Sequence, residues 1–295
     1  MSDRVATGRD VPAGALRPAT YAKYYEQAAD KIDAQGNRHW ITRSGNLIVV
    51  LTSADGRAVL ERADNPDESM LLLPPGVNAR IEAKGETLEA RADSLTILPP
   101  GPSRVTTNAP GSVVRIFSTK AADLLVQASN ASTYADGAPE VAPVVPWPEP
   151  VGGFRLRHYP LADYASPDPS PLKMRVFRST NMMINLFLPW PAPRDESKLS
   201  PHAHDDFEQI SLALEGTFVH HLRYPWTANK TKWRNDEHEV FGSPSVLVIP
   251  ARVEHTSQNI GEGVARLVDI FAPPRFDFSR RPGFVLNAAD YPMPD

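Results

Sequence analysis

Proline stands at 30 of the 295 positions, roughly twice the usual share of about 5%, and cuts the chain into many short segments. Between the prolines lie brief β-type runs. In the first part of the chain they are 48–52, 57–61, Ser69–Leu73, Ala79–Ala83, Ser94–Leu98 and 112–118. Further along come 154–159, 173–179, 182–190, 202–214, 217–224, Ser245–Ile249, 255–259 and 264–271. Short strands at regular intervals, with turn residues between them, predict an all-β sandwich or barrel rather than a parallel α/β sheet. Runs 48–52 and 57–61 flank Ser-Ala-Asp-Gly and read as a hairpin. Two peripheral helices are expected. In 17–35, Tyr21, Tyr24, Tyr25, Ala28 and Ile32 recur at three- and four-residue steps behind a Thr20 cap; the second helix is 120–129.

The length allows two ordinary domains or one large one. The prolines and closing glycines of 141–153 suit a semi-rigid linker, which predicts domains at 1–140 and 154–295. The polar, proline-punctuated stretch 275–295 is expected to wrap the surface. A net charge of −4, without a basic stripe, argues against a nucleic-acid partner. The absence of cysteine excludes disulfides, thiolate metal sites and thiol nucleophiles. No apolar run reaches the ~18 residues of a membrane span, and the first fifteen residues lack a signal-type apolar core. A cytoplasmic protein is the expectation.

Three separated pieces supply metal-ligand chemistry: His202-Ala-His204, Glu208, and His255 within Pro250-Ala-Arg-Val-Glu-His255-Thr-Ser-Gln-Asn259. Side chains two apart on a strand face the same way, so His202, His204 and Glu208 share one parity, and His255 must arrive from another strand. Sliding the chain against itself places Leu71, Leu73 and Val77 under His202, His204 and Glu208, with Gly85 under Gly216. A second match places Arg104 under His255. The first half thus reads as a copy of the pattern without its ligands, hydrocarbon replacing three of them and a fixed cation the fourth.

With these motifs the chain resembles the cupin superfamily, specifically a two-domain bicupin. His202, His204, Glu208 and Gly216 match the family's first motif without its leading glycine. Gly242, Pro250, His255 and Asn259 match the second, with Arg252 where the family usually has glycine. The resemblance covers roughly 40–118 and 170–272. It implies two antiparallel jelly-roll barrels with a few peripheral helices, the first lacking metal ligands and the second metal-binding.

Three imidazoles and one carboxylate suit one divalent transition metal, with Fe(II) favoured and Mn(II), Ni(II), Co(II) or Zn(II) possible. One anionic ligand leaves a net +1 on the ion, and an octahedral metal keeps two positions for substrate. Phe218 and His220 are candidates to face the site, while His221 and His238 read as surface residues. The segment 224–238 is either a lid over the barrel mouth or a solvated hairpin. Asn185, Arg175 or Arg178 is a candidate to meet a substrate carboxylate, although surface positions suit the arginines better. The leading functional expectation is a non-heme Fe(II) dioxygenase acting on a small oxygen-bearing molecule. The alternatives are an isomerase, lyase or decarboxylase of sugar or keto acids using Mn(II), Zn(II) or Ni(II), and a non-catalytic metal-binding cupin. A small-molecule substrate, no nucleic acid, no membrane and a possible homodimer complete the expectation.

Overall fold

The computed structural model describes residues 3–5, 16–170 and 172–294. Most of the first fifteen residues, on which the reading of a missing signal segment rests, lie outside the described residues. The apolar β-type runs fold as read: Ser69–Leu73, Ala79–Ala83, Ser94–Leu98 and Ser245–Ile249 are strands with the predicted bounds. The strands form four sheets. In the first half, one runs in the order Arg157–Pro160, Ser94–Leu98, Ser69–Leu73, Gly111–Ser118, Leu47–Ala54, Arg38–Arg43, Lys31–Ile32. The other runs Val59–Arg62, Ser103–Thr107, Ala79–Ala83, Glu86–Ala90.

The second half repeats this arrangement. Its larger sheet runs Met174–Arg178, Met183–Phe187, Arg266–Phe271, Gln209–Glu215, Ser245–Ile249, Thr20–Ala22. Its smaller sheet runs Asp3–Val5, His202–His204, Glu254–Asn259, Phe218–Arg223, Glu237–Phe241. The expectation of two jelly-roll barrels is corrected here: the fold is all-β, but no sheet closes. The end strands of each sheet do not pair with one another, so each half is an open two-sheet sandwich. Leu60, Ile81 and Val105 of the smaller first-half sheet pack on Leu71, Leu73 and Val113 of the larger.

The largest core lies between the halves. Leu47, Val49, Leu51, Met70, Leu72 and Ile116 meet Phe177, Ile184, Ile210, Leu212, Val248 and Ile270, so the two larger sheets stack back to back. Fully burying one such side chain stabilises by about 1.5–3 kcal/mol, so this seam outweighs any single polar contact. It also explains the unbroken apolar runs: Leu47, Val49 and Leu51 face the seam, whereas Ile48 and Val50 face their own half.

The halves also exchange strands. Thr20–Ala22 pairs with Ser245–Ile249 of the second half, and Arg157–Pro160 pairs with Ser94–Leu98 of the first. That exchange overturns the helix expected over 17–35. Tyr21 is paired with Leu247 and stacks on Phe241, while the buried Tyr24 donates to Thr42 Oγ1 at 2.7 Å. The periodicity reflects three different partners rather than one helical face. The helix expected over 120–129 is a single turn, Ala122–Leu125. The expected hairpin 48–61 does not form, because Leu47–Ala54 pairs with Gly111–Ser118 and Val59–Arg62 with Ser103–Thr107, in different sheets.

The proline-rich segment 141–153 lies against both halves: Asn46 Nδ2 of the first half donates to Ala142 O at 2.8 Å, and the Trp147 amide donates to Thr180 O of the second at 2.7 Å. No helix among the described residues is long and apolar enough to cross a membrane.

Glycine is required at the turn before Phe218. Gly216 has φ +95°, and a Cβ there would lie 2.8 Å from Ala265 Cβ and 2.9 Å from its Cα. Gly85 has φ +78° with open space around it. Gly216→Ala is therefore expected to cost more than about 1 kcal/mol and more than Gly85→Ala, as chemical denaturation of both variants will measure.

Candidate metal centre

His202 and His204 sit on the short strand His202–His204, and His255 on the antiparallel strand Glu254–Asn259, directly opposite His202. One ring nitrogen from each lies within 4.8 Å of the other two. His204 and His255 are buried and His202 is half-buried, so the cluster meets solvent on the His202 side. The Nδ1 atoms of His202 and His255 lie 2.9 Å from main-chain carbonyls, of Ser200 and Val253 respectively. Each ring then carries its proton on Nδ1 and turns the Nε2 lone pair inward, as a metal ligand requires. Burial holds His204 and His255 far below the ordinary histidine range, keeping them neutral, and the nearby Arg275 charge adds to this. His204 stacks on Phe207, with ring centroids 4.4 Å apart, and meets Phe271 edge-on.

Glu208 is not placed with the three histidines. The chain bends through Asp205 and Asp206 before the strand Gln209–Glu215 begins, and strand parity is not carried across the bend. Glu208 instead points into the seam between the halves. There it accepts from the Gly45 amide at 2.5 Å and from Tyr134 Oη at 3.0 Å. Arg17 and Arg43 each lie 4.4 Å from the Tyr134 ring centroid, and Arg17 pairs with Glu140 at 2.8 Å. The next residue, Gln209, faces the histidines. Its Oε1 lies 2.9 Å from His204 Nε2 and 3.3 Å from His255 Nε2. The alternation of strand faces selects 209.

A buried chain of polar groups fixes that amide. Gln209 Nε2 donates to Ser211 Oγ at 2.9 Å, and Ser211 Oγ donates to Asp269 Oδ1 at 2.5 Å. With its nitrogen engaged by Ser211, the amide can only present oxygen to the imidazoles. Burial pushes the Asp269 carboxyl up to about 7, against hydrogen bonds that pull it down. Asn185 stands opposite Asp269 in the ladder, with Oδ1 buried and unpaired.

His220 is buried. Its Nδ1 lies 2.7 Å from Ser257 Oγ, and burial lowers its pKa to about 3. His221 and His238 form an outer pair, Nδ1 to Nδ1 2.8 Å. Arg178, expected at the surface, is instead buried against the Trp147 ring and bonded to Tyr291 O, while Arg175 donates to Tyr164 O at 2.6 Å. Segment 224–238 folds on itself, Trp226 stacking on Trp233 at 4.4 Å and 6°, beside a cavity of about 580 Å³ that Ala203 and Arg252 also line. Arg252 adopts φ +68° where a glycine would be expected, so the turn before His255 is kept, and its amide donates to His204 O at 2.5 Å. In the first half, Arg104 is half exposed and lies 3.4 Å from Glu61, outside the interior that its match to His255 implied.

No family model and no curated protein sequence matches the chain. Solved structures do. AerE from Microcystis aeruginosa aligns over 88% of this chain and 99% of its own, at 11% identity and a TM-score of 0.55. A Lactobacillus farciminis oxalate decarboxylase formate complex aligns over 89% and 87%, at 16% identity and a TM-score of 0.57. A Bacillus subtilis oxalate decarboxylase, described with Mn(II) centres, aligns over 93% and 84%, at 12% identity and a TM-score of 0.57. These likenesses establish a bicupin-like fold. They also overturn the expected iron-dependent dioxygenase, an oxidoreductase: the two similar enzymes of known activity are oxalate decarboxylases, and the Bacillus subtilis one has Mn(II) centres.

Burial raises the Glu208 carboxyl from 4.5 to about 7. A folded pKa above the unfolded one contributes stability that is full below 4.5 and lost as pH rises through 7. Glu208→Gln keeps an acceptor for Gly45 and Tyr134 but does not ionise. From pH 5 to 8 it should gain on the wild type by up to about 3 kcal/mol in urea unfolding. A difference independent of pH would contradict this account of Glu208.

Proposed function

We propose that this chain is a metal-dependent lyase of the decarboxylase kind, acting on a small carboxylate or keto acid at the three-histidine centre. The observation that supports the reading is the donor set: three neutral imidazoles face a neutral amide oxygen rather than a carboxylate. His202, His204 and His255 would hold the ion, with Gln209 Oε1 beside them, and Glu208 would remain in the seam. Such a set leaves both charges of a divalent ion available to an anionic substrate. Mn(II) suits these nitrogen and oxygen donors, and it is the metal of the structurally similar decarboxylase. When bound, the ion would supply Lewis acidity that polarises a carboxylate or carbonyl oxygen.

The chain's own groups would do the rest. Ser200 O and Val253 O orient two of the imidazoles, and the Ser211–Asp269 pair holds the amide. Asp269, poised near neutrality, can keep a proton at its carboxyl at pH 7. Phe207 and Phe271 exclude water behind His204. Work would be divided between the halves: 154–295 would carry the centre, the described residues of 1–140 would supply no metal ligand, and 141–153 would link the two, with Asp3–Val5 and Thr20–Ala22 completing the second half and Arg157–Pro160 the first.

In metal-loaded protein, one Mn(II) per chain is expected by elemental analysis and electron paramagnetic resonance. His204→Ala should abolish it, and Gln209→Ala should weaken metal affinity about 10–100-fold. Glu208→Ala should retain stoichiometric metal. Carbon dioxide release is then followed across oxalate and short keto acids. A metal-loaded protein that releases none from any of them refutes the lyase reading.

A further inference from the structure

The first half has an open cavity of about 340 Å³, lined among others by Arg62 and Arg115. The strand ladders fix the correspondence between the halves. Leu72 pairs with Val114 as Leu212 pairs with Val268, and 212 − 72 = 140. Arg62 pairs with Ser103 as His202 pairs with His255, and 202 − 62 = 140 again. One ladder step on, Leu71 pairs with Arg115 as Ser211 pairs with Asp269. Arg62 therefore stands where His202 does, and Arg115 where Asp269 does. Ser69 and Ser103 occupy the positions of Gln209 and His255. A donor set for a cation in one half has become a pair of guanidinium groups in the other.

The two arginines differ in how their charge is met. Arg62 makes a two-point pair with Asp123, at 2.5 and 2.9 Å. Arg115 has no paired carboxylate among the described residues: its Nε is buried without a hydrogen bond, and its side chain reaches only Thr52 Oγ1, at 3.5 Å, and the edge of the Phe117 ring environment at 5.9 Å. The three carboxylates along the cavity wall are already engaged. Asp123 is held by Arg62, Asp33 by Asn37 and His39, and Glu61 by Arg104. Arg115 is half-buried, and although the Asp33 charge acts on it from nearby, no carboxylate pairs with its guanidinium directly, a place that a ligand anion would take. Burial, with Arg62 nearby, lowers the Arg115 pKa to about 10, which leaves it charged at neutral pH. Lys31 adds a third cation at the cavity, and the floor is aliphatic, made by Ile41, Val50 and Leu60.

We propose that this cavity is a binding site for a small organic carboxylate, its anionic end on the Arg115 guanidinium and its apolar part on Ile41, Val50 and Leu60. The planar fork of arginine matches a carboxylate at two points, and the aliphatic floor favours an organic acid over a simple inorganic anion. The site is separate from the histidine centre and does not depend on metal.

The test is isothermal titration of the full chain, stripped of metal, with butyrate, benzoate and oxalate, and with sulfate and chloride as inorganic controls. His204→Ala is used in parallel to remove any contribution from the second half. Carboxylate binding should persist in His204→Ala and weaken at least about tenfold in Arg115→Met, which keeps length and removes charge. Arg115→Lys, which keeps the charge but not the fork, should weaken it less, and it serves if the Met variant does not fold. Absence of carboxylate binding to the wild type overturns the proposal. So does unchanged affinity in both Arg115 variants, or sulfate or chloride binding as tightly as the organic acids.

Discussion

The apolar seam between the two larger sheets is the constraint on which the rest of the molecule depends. It requires Leu47–Ala54, Ser69–Leu73 and Gly111–Ser118 in one half, and their counterparts in the other, to be apolar on the face that meets the seam. Once those sheets are back to back, each half has one face left for its own interior, and that interior is where the chemistry sits. Strand exchange reinforces the seam, because separating the halves would also unpair Thr20–Ala22 and Arg157–Pro160.

The seam also decides the character of the metal centre. Glu208 and Gln209 are neighbours at the start of a strand, so one must face the seam when the other faces the interior. Glu208 takes the seam, where Gly45, Tyr134 and the charges of Arg17 and Arg43 surround it. The interior receives the amide. A residue engaged in joining the halves is thus withheld from the site, and the donor set turns neutral.

One ladder pattern serves two chemistries. At corresponding positions the second half places His202 and Asp269, and the first half Arg62 and Arg115, on the same backbone geometry. Fold and function separate cleanly here. The scaffold fixes where side chains converge, and their identity fixes which charge they attract.

The amino-acid sequence by itself determined the β-rich class, the bounds of several strands and the convergence of His202, His204 and His255, because alternation along a strand and proline or glycine punctuation act locally. Only the tertiary structure decided that 17–35 forms strands and turns, that the sheets stay open, that Gln209 rather than Glu208 meets the imidazoles, and that Ser103 rather than Arg104 corresponds to His255. Those outcomes depend on a parity reset at a bend or on which strands pair across the fold. Neither is encoded in the spacing of a single segment.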